Sequence, residues 1–284
     1  MIPAAFDYYA PTSVDEALAL LREHDDAKVL AGGQSLMPVL RLRLAAPEVI
    51  VDLGRIDELR GIRDDGEALV IGAMTPHSVV QADPSIAEHA KLISLAAAAI
   101  GDPQVRHRGT FGGSLAHADP AADLPAVVLA LDAEMVIQGP GGRRTVGAAD
   151  FFEGVFTTTL SEDELLVEIR VPKYTGWGAH YEKFSRVAQQ WPIVAVAAAV
   201  RLDGGTIAEA RVGLSNMGSI PVRATAVEQA LVGQPATAEA VRAAAARAAD
   251  GTSPPTDLNG DAEYRRHLAS VLTRRAVLSA AGAG

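Results

Sequence analysis

Cysteine is absent from the 284 residues, and that removes several kinds of chemistry at once. No disulfide, thiolate nucleophile, structural zinc ribbon or cysteine-ligated iron–sulfur cluster can be built from this chain. Any redox chemistry must therefore use a bound organic cofactor. A basic excess is missing too: 25 lysines and arginines face 35 aspartates and glutamates, a formal charge of −10. With no basic stripe to neutralise phosphates, no nucleic-acid partner is expected. Long apolar runs are also lacking. The longest, Ile193 to Val200, has eight residues, against the ~18 that suggest a membrane span. The opening residues, Met1-Ile2-Pro3-Ala4-Ala5-Phe6-Asp7, have neither a basic n-region nor an apolar h-region, so a soluble cytoplasmic protein is expected.

What remains is a chain built to fold. Apolar residues make up 49% of it, and its length suggests two domains burying roughly 75% of the unfolded surface. The first fifty residues read as α/β. Ser13 is a good N-cap for a helix carrying Ala17, Leu18, Leu20 and Leu21 at helical spacing. A strand at Lys28 to Ala31 leads into Gly32-Gly33-Gln34-Ser35. A second helix begins at Leu36 with Pro38 in its first turn, and a strand follows at Glu48 to Leu53. Farther on, strands at Ala68 to Ala73 and Ala133 to Gln138 bracket a helical stretch, Ser85 to Ile100. A long loop is expected from Gly101 to Pro125. Gly139-Pro140-Gly141-Gly142 signals a hairpin, and Leu165 to Val171 a strand stopped by Pro172.

Lys173 to Gly178 reads as a boundary, because three strands and then three helices follow. The strands are Tyr181 to Val187, Ile193 to Leu202 and Ile207 to Ser215, the last two joined through Asp203-Gly204-Gly205. The helices are Val222 to Leu231, Ala238 to Ala249 and Asp261 to Ala280, with Tyr264, Leu268, Val271, Leu272 and Leu278 on one face of the last.

Two glycine pairs carry the chemical signal: Ala31-Gly32-Gly33-Gln34-Ser35-Leu36 and Thr110-Phe111-Gly112-Gly113-Ser114-Leu115. Paired glycines let consecutive backbone N–H groups converge on an anion, and a following helix N-terminus adds partial positive charge. One such pair would more often be an ordinary turn. Two pairs in different subdomains could grip a dinucleotide from both sides. Neither pair has the Lys-Ser/Thr of a P-loop, and no Gly-x-Gly-x-x-Gly follows a strand. A nucleoside triphosphatase and a Rossmann site are both unsupported.

Ala31-Gly32-Gly33-Gln34-Ser35-Leu36-Met37-Pro38 resembles the first flavin loop of the FAD-binding medium subunits of molybdenum hydroxylases, the carbon monoxide dehydrogenase and xanthine dehydrogenase group. Gly109 to Pro125 resembles their second flavin loop, and the likeness extends through Glu164 to Pro172 and Tyr181 to Arg186. The fold implied is α+β: an FAD-binding region of PCMH type over 1–175, with subdomains of about 1–57 and 58–175. A carbon monoxide dehydrogenase flavoprotein C-terminal-like domain over 176–284 would carry a three-stranded antiparallel sheet and three helices. FAD would lie in the cleft between the two.

The resemblance assigns Val29, Leu30, Ala31, Gly32, Gly33, Gln34, Ser35 and Leu36 to the pyrophosphate and ribityl region, and Thr110, Phe111, Gly112, Gly113 and Ser114 to a second clamp. Asp123 would accept hydrogen bonds from the cofactor or hold the loop. Leu166 or Val167 would touch the adenine side, Lys183 would reach toward the flavin, and Trp191 would screen the isoalloxazine ring. Ser114 stands where many relatives have asparagine, and Gln34 where carbon monoxide dehydrogenases often have histidine. The resemblance further implies a small subunit with [2Fe-2S] clusters and a large subunit with the molybdenum cofactor, assembled as a dimer of heterotrimers. In that setting the chain passes electrons through FAD to an external acceptor.

Other readings compete. Gly112-x-Ser114-x-Ala116, with His117 and Asp119 close by, mimics a degenerate nucleophile elbow. His107, His117, Asp119 and Asp123 could be taken for a metal cluster, though their spacing matches no fixed ligand pattern. A self-sufficient flavoprotein oxidase or dehydrogenase and a non-catalytic assembly subunit remain as alternatives to the relay.

Overall fold

A three-stranded parallel sheet opens the chain in the computed structural model, with strand order Asp7–Tyr9, Val49–Asp52, Ala27–Leu30. The structure describes residues 2–283. Met1 and Gly284, the outermost residues of the two expected domains, lie outside the described residues. The helix Val14–Glu23 covers the sheet. Its Ser13 hydroxyl accepts from the Glu16 N–H at 3.2 Å, and Asp15 and Glu16 sit at its positive end. Val14, Ala17, Leu18 and Leu21 pack on Val49 and Val51, and beyond these on Val136, Leu165 and Val167 of the next sheet.

That next sheet is antiparallel and has five strands, in the order Ile62–Asp64, Ala68–Gly72, Leu165–Pro172, Glu134–Gly139, Gly142–Gly147. Its central strand alternates between faces. Leu165 and Val167 join the small parallel unit, whereas Leu166, Ile169 and Val171 join the main core, with a register shift between Leu166 and Glu168. The helical stretch before residue 100 is two helices, Pro84–His89 and Lys91–Ala98, preceded by a third, His77–Ala82. The expected loop from Gly101 to Pro125 is mostly helical: Pro103–Arg108, Phe111–His117 and the start of Leu124–Ala130. Side-chain caps account for this. Asp102 Oδ1 accepts from the Val105 N–H at 2.9 Å, and Thr110 Oγ1 from the Gly113 N–H at 3.1 Å.

The C-terminal sheet is antiparallel and has four strands, not three: Gly178–Phe184, Val194–Asp203, Thr206–Ser215 and Val222–Arg223. The two residues of the fourth were expected to begin a helix, which instead runs Thr225–Leu231. Residues 194–200 of the strand Val194–Asp203 are buried on both faces, which explains the unbroken apolar run there. Ala195, Ala197 and Ala199 face the N-terminal core, while Val194, Val196, Ala198 and Val200 face the helices. The last helix, Ala262–Ala280, buries Leu268 and Leu272 as expected. The rest of its buried face is Arg265, Ala269, Thr273, Ala276, Val277 and Ala280, with Tyr264 exposed. Small residues win there because backbone meets backbone: a Cβ on Gly178 would lie 1.8 Å from the Ala280 carbonyl oxygen. No helix among the described residues is long and apolar enough to cross a membrane. The fold is α+β.

Candidate functional site

The two glycine segments touch. A Cβ on Gly32 would lie 2.1 Å from the Arg108 carbonyl oxygen and 2.6 Å from Gly109 Cα, and one on Gly113 would lie 3.0 Å from Ala31 Cβ. Gly33 has φ +74°, a left-handed conformation that favours glycine. Between the strand Ala27–Leu30 and the helix Leu36–Arg41, the backbone therefore turns sharply against the end of the helix Pro103–Arg108. Along that turn the N–H groups of Gly32, Gly33, Gln34, Ser35 and Leu36 donate to nothing among the described residues. The first N–H to find a carbonyl is that of Met37, which donates to Gly33 at 3.0 Å. Val29, Leu30, Ala31, Gly32, Gly33, Ser35 and Leu36 are half-buried, and Gln34 is exposed. A run of free amides beside half-buried apolar side chains suits a ligand with an anionic centre and an apolar arm.

The second segment is different, and here the expectation of a two-sided amide grip is corrected. The Phe111 N–H donates to Thr75 O at 2.9 Å, Gly112 to Ala73 O at 2.8 Å, Gly113 to Thr110 Oγ1 at 3.1 Å and Ser114 to Thr110 O at 3.1 Å. Those four amides are already used. Gly112 serves close packing instead, since a Cβ there would lie 2.5 Å from Ala73 Cβ. Ser114 sits inside the helix Phe111–His117 and not at a strand-to-helix turn, which removes the nucleophile-elbow reading. The His117 ring packs at a tilt against Phe156, with centroids 4.9 Å apart, and burial lowers its pKa. No group of three or more His, Cys, Asp or Glu able to hold a metal ion is found among the described residues.

Asp123 is buried, and both its oxygens are engaged. Tyr181 O–H donates to Oδ1 at 2.7 Å, and Lys183 Nζ donates to Oδ2 at 3.0 Å and to Ala99 O at 2.9 Å. Of the two roles open to Asp123, holding the loop is the one its contacts serve. Lys183 likewise spends its ammonium on Asp123 and the Ala99 carbonyl. Leu166 and Val167 are 5% and 1% exposed in opposite cores, so their side chains have almost no surface to offer an adenine. Trp191 is 58% exposed in the turn after the strand Gly178–Phe184. Gln189 of that turn donates from Nε2 to Asp102 Oδ2 at 2.5 Å, tying it to the helix that abuts Gly32.

With this geometry in hand, comparison with known proteins is decisive. Residues 4–174 match the family described as the FAD binding domain in molybdopterin dehydrogenase, and residues 179–280 the CO dehydrogenase flavoprotein C-terminal domain. The chain is an FAD-binding medium subunit of the molybdenum hydroxylase family. It is 45% identical to the carbon monoxide dehydrogenase medium chain of Hydrogenophaga pseudoflava, over 99% of this chain and 98% of the relative. Its fold matches reconstituted CO dehydrogenase from Oligotropha carboxidovorans with a TM-score of 0.96 and 40% identity, covering 100% of both chains. Quinoline 2-oxidoreductase from Pseudomonas putida 86 matches at 0.95 and 35%, covering 100% of this chain and 99% of that one.

For a medium subunit, the first glycine segment fits the cofactor: five consecutive free amides are the donor set a pyrophosphate needs. Sequence reasoning missed a support beneath it. His77, 4% exposed, donates its N–H to Gly109 O at 3.0 Å, and its ring lies 2.9 Å from where a Gly109 Cβ would be. A lone histidine after Thr75-Pro76 gave no signal. Its Nδ1 has no partner, and burial, aided by nearby Arg106, lowers its pKa to about 4. The unfolded imidazole titrates near 6.5, so between those values only the unfolded chain takes up the proton. Stability is full above pH 6.5 and falls as pH drops toward 4, by about 3 kcal/mol in all. In His77→Gln, urea midpoints followed from pH 7 to pH 4 should lose most of that slope. A slope equal to that of the parent chain would show that His77 does not carry the acid sensitivity.

Proposed function

We propose that this chain holds FAD by the free amides of Gly32 to Leu36, with the Arg108–Gly109 backbone as the opposing wall, Thr110 to Ser114 as packed support and Trp191 beside the ring system. The observation that carries this reading is the run of five unused N–H groups pressed against a second backbone segment. The chain is the FAD-binding electron-transfer subunit of a molybdenum hydroxylase complex, and its redox partners lie in other subunits. Bound FAD takes electrons singly and releases them singly or in pairs, which suits a position between iron–sulfur clusters and an external acceptor. The chain's own residues bind and orient. Amides fix the anionic centre, Val29 and Leu30 line an apolar side, and the buried Asp123–Tyr181–Lys183 group joins the C-terminal sheet to the flavin-binding region.

We further infer a complex with a small iron–sulfur subunit and a large molybdenum subunit, arranged as a dimer of heterotrimers in the cytoplasm. We also infer two domains, at 1–175 and 176–284. Relatives named for carbon monoxide and for quinoline share this fold nearly end to end, which supports a substrate pocket outside this polypeptide. The test is to load the isolated chain with FAD and offer carbon monoxide, purines and N-heterocycles, then repeat with both partner subunits present. Flavin bleaching should appear only in the second case. Rapid bleaching in the isolated chain would overturn the relay in favour of a self-sufficient dehydrogenase.

A further inference from the structure

The turn carrying Trp191 leaves the C-terminal sheet after Phe184 and closes at Ile193, whose N–H donates to Phe184 O at 2.7 Å. Most of the turn is exposed, yet its returning limb is gripped from inside the protein. Asn216 Nδ2 donates to Pro192 O at 3.0 Å and to Ile193 O at 3.2 Å. Arg265 Nη1, on the last helix, donates to the same Ile193 carbonyl. Its Nη2 is held by Asp257 Oδ1 at 2.7 Å, and the Arg265 side chain is fully buried.

A guanidinium in this position has to be explained. Burying it is costly, and a leucine or methionine would fill the space on this otherwise apolar helix face with less penalty. What an apolar residue could not do is donate to the carbonyl that ends the Trp191 turn. Asn216 is similarly specialised. It has φ +62°, and its own N–H donates to Pro120 O at 2.8 Å, so one residue fastens both the returning limb and the segment leading to Asp123. At the far side of the turn, Asp102 receives Gln189 on one oxygen and caps the helix Pro103–Arg108 with the other. The turn is therefore anchored at its tip to the wall of the glycine cradle and at its root to the C-terminal helix.

We propose that Asn216 and Arg265 are positioning residues that set where the Trp191 indole stands, so that the last helix governs shielding of the flavin without touching it. This rests on the reading above that FAD lies on the Gly32 to Leu36 amides with Trp191 beside its ring. Only the indole's placement, and not the flavin, is needed to test the clamp itself. The full chain contains two tryptophans, so Trp177→Phe leaves Trp191 as the sole reporter. In that background Asn216→Gly tolerates the positive φ and keeps the N–H to Pro120, removing only the amide side chain. It should raise acrylamide quenching of Trp191 by about twofold and lower its fluorescence anisotropy, because the root of the turn opens locally while the fold is kept. Arg265→Met should do the same, and Arg265→Lys, which retains one donor, should recover part of the effect. Unchanged quenching and anisotropy in Asn216→Gly and Arg265→Met, with far-UV circular dichroism intact, would overturn the clamp. The flavin reading is tested separately by Trp191→Phe in the FAD-loaded chain. A change in the rate at which reduced flavin is reoxidised by ferricyanide supports it; an unchanged rate defeats that reading while the quenching result still decides the clamp.

Discussion

Gly32→Ala should leave the chain nearly free of flavin while it stays folded. The added Cβ would fall 2.1 Å from the Arg108 carbonyl oxygen, where ordinary contact begins near 3.4 Å, and the atoms it meets are backbone. Neither partner can rotate away, so the glycine turn and the Arg108–Gly109 wall must move apart by more than an ångström. Five amides aimed at one anionic centre cannot follow that shift together. Losing two or three charge-assisted hydrogen bonds at roughly 1.5–3 kcal/mol each weakens binding by at least about a hundredfold. The measurement is the FAD-to-protein ratio after gel filtration, with Gly147→Ala as control, since a Cβ at Gly147 meets nothing within 4 Å. Gly112→Val is a poorer test of the same idea. Its side chain would be driven into Ala73 inside the core, and flavin would be lost through misfolding. Full flavin content in Gly32→Ala would remove the first segment as the cradle.

Much of this site was legible because glycine and backbone amides leave a pattern in sequence. Ala31-Gly32-Gly33-Gln34-Ser35-Leu36 sits between a strand and a helix that were both anticipated, Ala27–Leu30 and Leu36–Arg41. The second pair looked the same and was not. Whether an amide is free depends on what lies opposite, and the Ala73 and Thr75 carbonyls that occupy Gly112 and Phe111 come from nearly forty residues earlier. The missed helices between Gly101 and Pro125 have a related cause: segments of six or seven residues show no clear period, and only the caps Asp102 and Thr110 betray them. The C-terminal strands were visible from their apolar runs and the Asp203-Gly204-Gly205 turn. The two-residue strand Val222–Arg223 was hidden at the head of a helical pattern. Lys183 was singled out as a site residue, but its partner in space, Asp123, lies sixty residues away, and no spacing rule connects them.

That pair carries the other large effect. Asp123→Ala should destabilise the flavin-free chain by about 3–5 kcal/mol, as expected when one member of a buried ion pair is removed. The carboxylate is 6% exposed and is the acceptor for both Tyr181 and Lys183, which the first strand of the C-terminal sheet brings to it. Burial raises the Asp123 pKa, while the Lys183 charge and the Tyr181 hydrogen bond pull it back down. Burial, together with the negative charge of Asp123, raises that of Tyr181. Taking the carboxylate away leaves a buried ammonium with only the Ala99 carbonyl and a buried phenol without its acceptor. Removing the ammonium as well relieves most of that penalty, so Asp123→Ala with Lys183→Met should be more stable than Asp123→Ala alone. This ordering separates a latch from a cofactor ligand. Urea unfolding of the apo forms at pH 7 is the measurement, because no flavin is present to mask the result. If Asp123→Ala keeps the parent midpoint without FAD and loses only flavin affinity, the carboxylate serves the cofactor, and the join between the two halves of the chain must be sought elsewhere.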